Sequence, residues 1–352
     1  MFAPLVIVLI AVVLTAVALW DRASIRKRQR SIIRSLGSGV LALATVAAMI
    51  VAVSCVIDAV AFCHALPFGT LYSVNGHRMH IDCEGHGSPT LLLDAGLGND
   101  TLIWRRVQPL LAQRTQVCSY DRAGYGWSEP VDGPRDADHI SAELHGLLMA
   151  AGLQGPFVLV GHSIAGLYIR DYAARYPEGI IGLVFVDAST IPAGYFPTNT
   201  DANQKNSLGK GLSEKLGRGA FKLGLTRLFG ACPGSFPGYR FGLTLPQLEG
   251  ICREDFETYI KERDDFDLSA QETTRIPMGA HIPILVISRD TSNGAWNQNQ
   301  DSLRLLSDHS RRIVAEGSGH YVQVDRPELL VNQLTLFVEE SHDPELKPAQ
   351  VP

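Results

Sequence analysis

Apolar positions fall into distinct rhythms along the chain. From Phe2 to Trp20 every residue but Thr15 is apolar and none is charged. About 20 such residues are enough to cross a bilayer core. A basic stretch follows, with Arg22, Arg26, Lys27, Arg28, Arg30 and Arg34 against the single acid Asp21. Leu36 to Ile57 is uncharged again, and apolar character continues past Asp58 to Leu66. The pattern predicts a two-helix transmembrane anchor over 1–66 with a basic loop at 21–35. A cleaved signal peptide fits less well, because no positive charge precedes the first run. The positive-inside rule puts the basic loop in the cytoplasm and everything after residue 67 on the outer, periplasmic or extracellular, face of the cytoplasmic membrane.

Beyond Leu71 short apolar runs alternate with helix-spaced segments. Tyr72–Val74 and Met79–Cys83 flank Asn75-Gly76, a two-residue hairpin signal. Strands are expected at Thr90–Leu93, Gln116–Tyr120, Phe157–Val160, Leu183–Val186, Ile284–Ser288 and Arg312–Ala315. Helices are expected at Leu102–Gln113, Ala137–Ala151, Ile164–Tyr176, Ser302–Leu306 and Pro327–Glu339. Strands alternating with helices predict an α/β fold whose mostly parallel sheet is covered on both faces. The alternation lapses over 189–278. That stretch is too long for a structureless loop and reads as a mostly helical cap, with helical pieces near Gly211–Phe229 and Leu245–Arg263. The expected organisation is thus anchor, core (67–188 and 279–342), inserted cap (189–278) and a flexible tail (343–352).

Composition narrows the function. A mild net charge of −5 suggests no nucleic-acid footprint, and the basic stretch at 21–35 is read as the loop between the two spans. Six cysteines in 352 residues do not make a disulfide scaffold. Cys83 with Cys118 and Cys232 with Cys252 are the candidate pairs if the domain faces outward; buried free thiols are the alternative. No metal-binding spacing occurs.

The chemistry concentrates in a few places. Gly161-His162-Ser163-Ile164-Ala165-Gly166 lies between an expected strand and an expected helix. A nucleophile on so sharp a turn needs small neighbours two residues to either side, and Gly161 and Ala165 are small. A serine hydroxyl needs a base. Of eleven histidines, His320 in Ser318-Gly319-His320-Tyr321 follows a strand and precedes a helix; His162 reads as a packing or pocket-lining residue. The acid that orients the imidazole is Asp290, at the end of Ile284–Arg289, or alternatively Asp187, at the end of the strand before; Asp290 is preferred. Asp308 and Asp325 read as solvated surface charges. An oxyanion needs backbone donors, expected from the N–H groups of Ile164 and of Leu97 in Asp94-Ala95-Gly96-Leu97-Gly98-Asn99.

Ser119-Tyr120-Asp121-Arg122-Ala123-Gly124-Tyr125-Gly126-Trp127-Ser128 resembles the stretch after the fourth strand of α/β-hydrolase-fold enzymes. With Asp94–Gly98, Gly161–Gly166 and Ser318–His320, four motifs stand in that family's order, over about residues 70–341. Ala165 departs from the family's Gly-x-Ser-x-Gly by one methyl. The resemblance implies an eight-stranded, mostly parallel sheet with a variable cap, a serine triad in the order Ser, acid, His, and no cofactor or metal. It leaves the substrate open. Ser163 speaks against members that use a nucleophilic aspartate. The expectation is a membrane-anchored serine hydrolase of the esterase type, acting on a small or lipid-like hydrophobic ester beside the lipid bilayer. Amide, thioester or carbon–carbon bond cleavage on the same triad, or a non-catalytic ligand receptor, are the alternatives. Oligomeric state is left open.

Overall fold

The computed structural model describes residues 15, 31–64, 68–190, 215–217, 219, 256–275 and 281–341. The chain divides into two compact units. One comprises Met1–Ala65 with Leu208–Cys232, the other Leu66–Ser207 with Pro233–Pro352.

Among its described residues the first unit contains the long helix α1 (Ser31–His64). Its side chains are described from Gly37 to Val53. On that stretch Val40, Leu43, Val46, Met49, Ile50 and Val53 are exposed. Among the described residues no helix is long and apolar enough to cross a membrane. The expectation of two spanning helices therefore finds no support there; the first, 2–20, lies outside the described residues except for Thr15.

The second unit is built on one eight-stranded sheet in the order β1-β2-β4-β3-β5-β6-β7-β8. β1 (Thr70–Val74) and β2 (His77–Glu84) form the antiparallel hairpin expected around Asn75-Gly76, with Val74 opposite His77. Both turn residues take positive φ, 47° and 90°, as the tight turn between twisted strands demands. β2 also pairs antiparallel with β4 (Val117–Tyr120), and Cys83 stands opposite Cys118 there, joined by a disulfide.

β3 (Thr90–Asp94), β5 (Phe157–His162), β6 (Ile180–Val186), β7 (Ile284–Arg289) and β8 (Ser310–Ala315) continue the sheet in parallel. β3, β4 and β5 are buried along their whole length. Their unbroken apolar runs follow from burial on both faces. The chain steps from β3 outward to β4, then returns to lay β5 on the other side of β3. The winding reverses between β3 and β5, and the carboxyl ends of the strands at such a reversal are the usual ligand position in open α/β sheets.

Between the strands run α2 (Gln108–Leu111), α3 (Ala137–Ala150), α4 (Ala165–Arg175), α5 (Phe256–Asp264), α6 (Phe266–Arg275), α7 (Gly294–Arg304), α8 (Val322–Asp325) and α9 (Pro327–Ser341). The single helix expected over Leu102–Gln113 is instead a 3₁₀ turn at Thr101–Trp104 followed by α2. Asp100 caps the turn through the Leu102 N–H, and Pro109, which cannot continue a helix from a preceding turn, sits at the start of α2. α7 begins eight residues before its expected start, where Asn293 accepts the N–H of Trp296 at 3.1 Å. Its first turns are too polar for periodicity to detect.

α5 and α6 are described helices of the insertion between β6 and β7. The expected helix near Gly211–Phe229 (apart from 215–217 and 219), the Cys232–Cys252 pair and the 343–352 tail lie outside the described residues.

Candidate active site

Ser163 directly follows β5 with φ of 55°, a left-handed conformation unfavourable for any residue with a Cβ. The surroundings enforce it. The Ser163 N–H donates to the Val186 carbonyl on β6, and the Ser163 carbonyl accepts from Gly166 and Ser189 at 3.0 and 2.7 Å. A Cβ on Gly161 would stand 2.7 Å from the Ala165 carbonyl oxygen, and one on Gly166 would stand 2.6 Å from the Ala188 Cβ. The close approach therefore falls at Gly161 and Gly166, and Ala165 fits as a buried residue between them.

His320 reaches this turn from the loop after β8. Its Nε2 lies 3.0 Å from Ser163 Oγ, and its Nδ1 lies 2.6 Å from Asp187 Oδ2. A carboxylate only accepts, so Asp187 places the proton on Nδ1 and leaves the Nε2 lone pair facing the serine hydroxyl. Asp187 follows β6 at φ of 42° and is fully buried. Its other oxygen accepts the Arg289 N–H at 3.0 Å and the Trp296 indole N–H at 2.8 Å. Burial alone would raise the carboxyl pKa. The hydrogen bonds from His320, Arg289 and Trp296 outweigh burial and hold it below the usual carboxylate range.

The preference for Asp290 is thereby corrected. Asp187 and Asp290 end adjacent parallel strands, but only Asp187 meets the imidazole. Asp290 is exposed and accepts the Gly317 N–H at 3.1 Å, while Asp325 accepts the Gly319 N–H at 2.9 Å. These two carboxylates brace the turn that delivers His320, a role the reading of Asp325 as a plain surface charge does not capture.

His162 is buried at 1% exposure, and its Nε2 lies 3.0 Å from the His320 carbonyl oxygen. A carbonyl only accepts, so Nε2 carries the proton. Burial, then the neighbouring His320, lowers the His162 pKa to about 3. The ring is therefore neutral and holds the His320 backbone in place.

Leu97 packs against an apolar cluster that contains Ile164. β3 and β5 run in register to their ends, with Asp94 opposite Gly161, so the loop after β3 lies beside the turn at Ser163. A Cβ on Gly96 would stand 2.8 Å from His162 Nδ1. Leu97, only partly buried, packs with Phe266 of the insertion on an apolar cluster that includes Ile164, Leu167, Tyr168 and Ala270. Among the described residues no three His, Cys, Asp or Glu side chains converge to hold a metal ion.

Sequence reasoning passed over two supports of the site. Trp296 lies in a polar stretch without a signal, yet its ring also meets His320 edge-on at 6.2 Å. Arg122 lies inside the Ser119–Ser128 motif but was given no role; its guanidinium binds Asp94, Ala95, Gly96 and Glu262.

A sequence model described as the alpha/beta hydrolase fold matches residues 89–327. The uncharacterized protein YqjL of Bacillus subtilis is 30% identical over 268 residues, covering 74% of this chain and 87% of YqjL. The probable transporter efuK of Hormonema carpetanum is 26% identical over 296 residues, covering 77% of this chain. This chain spans only 42% of the length of efuK. Among solved structures, the epoxide hydrolase VrEH1 of Vigna radiata superposes with a TM-score of 0.60 at 18% identity, covering 77% of this chain and 97% of that one. The sheet order, the strained turn at Ser163 and these matches together place the chain in the alpha/beta hydrolase fold family.

Proposed function

We propose that this chain is a serine hydrolase that cleaves a carboxylic ester with a hydrophobic acyl or alcohol group. The observation that carries the reading is the relay Asp187–His320–Ser163, at 2.6 and 3.0 Å. Ser163 Oγ attacks the ester carbonyl while His320 Nε2 takes its proton, and Asp187 stays ionised and steadies the imidazolium. The tetrahedral oxyanion accepts hydrogen bonds from the N–H groups of Leu97 and Ile164, neither of which donates to a backbone carbonyl among the described residues. His320 returns the proton to the departing alkoxide. It then takes a proton from water, whose oxygen attacks the acyl carbonyl, and passes that proton to Ser163 Oγ as the Oγ–acyl bond breaks and the acid departs. The apolar side chains of Leu97 and Phe266 beside Ile164 favour a hydrophobic group in the substrate.

The test is labelling by a fluorophosphonate. The wild-type chain should be labelled at Ser163 and should hydrolyse aryl esters; Ser163→Ala should do neither. A wild-type chain that resists the reagent while folded rules the reading out.

The same proposal puts the domain at the outer face of a cytoplasmic membrane, with residues 1–66 as its anchor and 189–278 as its cap. Its support is the uncharged run Phe2–Trp20, the basic stretch behind it, the exposed apolar side chains of α1, and the Cys83–Cys118 disulfide, a bond that persists in oxidising compartments. A reporter fused after Pro352 that is active only in the cytoplasm contradicts this placement.

A further inference from the structure

Arg122, in the turn after β4, is 2% exposed. One guanidinium holds three successive residues of the loop after β3. Nη1 donates to Asp94 Oδ1 and to the Ala95 carbonyl, each at 2.6 Å, and Nη2 donates to the Gly96 carbonyl at 2.9 Å. Its remaining reach goes to Glu262 on α5, with Nη2 2.7 Å from Oε1 and Nε 3.4 Å from Oε2. Glu262 is itself fully buried. Burial works against the Arg122 charge, but the Glu262 and Asp94 carboxylates outweigh it and keep the guanidinium protonated.

The Gly96 carbonyl and the Leu97 N–H belong to one planar trans peptide and point in opposite directions. A hydrogen bond that fixes the carbonyl fixes the direction of the N–H as well. Arg122 grips the carbonyl side, and His162, the neighbour of Ser163, packs against Gly96 from β5. We infer that Arg122 is a positioning residue that aims the Leu97 N–H at the oxyanion, and that Glu262 ties this aim to the insertion helix α5. The insertion then acts on the rate of the chemical step through a buried ion pair, independently of any contact it makes with substrate. This inference rests on the serine-hydrolase reading.

Its test uses the full chain as wild type, Glu262→Gln and Arg122→Lys. Glu262→Gln keeps the shape and an accepting oxygen while removing the charge; Arg122→Lys keeps the charge but cannot hold all four partners. The measurements are kcat and KM on p-nitrophenyl butyrate, the rate of fluorophosphonate labelling of Ser163, and the pH profile of kcat/KM. Loss of one oxyanion donor lowers kcat by about 10²–10³-fold, so a misaimed donor should lower it by about tenfold in Glu262→Gln and more in Arg122→Lys. KM should stay within about twofold, labelling should slow in parallel with kcat, and the acid limb of the profile should not move, because Asp187 and His320 are untouched. If Arg122→Lys fails to fold, Glu262→Gln decides alone. An unchanged kcat, or a rise in KM alone, in a variant of an enzyme that labels normally overturns the inference and leaves the hydrolase reading standing. A wild-type chain that does not label overturns both.

Discussion

The Asp187 carboxylate and the His320 imidazole, 133 residues apart in sequence, meet at 2.6 Å. Both side chains leave the carboxyl edge of the sheet, from the ends of β6 and β8, and β7 between them supplies the Arg289 N–H that fixes the acid. Asp187→Asn should lower kcat on an aryl ester by about 10³–10⁴-fold, since the amide favours the wrong imidazole tautomer. Asp290→Asn keeps an acceptor for Gly317 and should lower it less than about tenfold. Parallel kinetics on the two variants decide the assignment, and equal losses contradict it.

Trp296→Phe keeps an aromatic ring beside His320 but deletes the N–H on Asp187. One hydrogen bond to a charged group contributes about 1.5–3 kcal/mol, so kcat/KM should fall roughly tenfold or more. Activity within twofold of wild type shows that the indole does not support the carboxylate.

Stability should depend on acid through His162. Below about pH 6.5 the unfolded imidazole binds a proton that the folded ring refuses until about pH 3. The unfolded state thus binds more protons across that window, and stability falls as pH is lowered through it, by at most about 1.4 kcal/mol per pH unit. His162→Gln retains a side-chain N–H donor and does not titrate. Urea denaturation at pH 7, 6 and 5 should give a flatter slope for this variant; an identical slope sinks the assignment.

The disulfide between Cys83 and Cys118 closes a loop with a sequence separation of 35. Cross-linking a loop of that size restricts the unfolded chain by about 3–4 kcal/mol. The Cys83→Ala/Cys118→Ala double variant should lose stability of that order, and the native chain should gain two titratable thiols on reduction. A thiol count unmoved by reductant shows the bond is not formed.

Much of the sheet could be read from the chain, because strands buried on both faces appear as unbroken apolar runs and Asn75-Gly76 announces its hairpin. Ser163 and His320 were legible for a similar reason: each sits at a junction of such a run with a helix. The choice between Asp187 and Asp290 was not. Each ends a strand on the same edge, and the contacts that decide between them, from Trp296 and the Gly317 turn, are made by residues with no periodic signature. The start of α7 was hidden likewise, since the stretch 293–299 carries a cap and polar side chains but little apolar rhythm. Arg122 and Glu262, 140 residues apart, are joined only by the folding of the insertion over the sheet.

Ser163 and Asp187 are both non-glycine residues held at positive φ, at 55° and 42°. Each such conformation costs about 1–2 kcal/mol in a residue bearing a Cβ. Glycine at position 163 escapes that strain, whereas alanine there keeps it. Ser163→Gly should therefore melt at a higher temperature than Ser163→Ala. On the proposed serine-hydrolase reading, the fold gives up heat resistance to display its hydroxyl, and a hunt for thermostable variants that ignores turnover would drift toward discarding the proposed nucleophile.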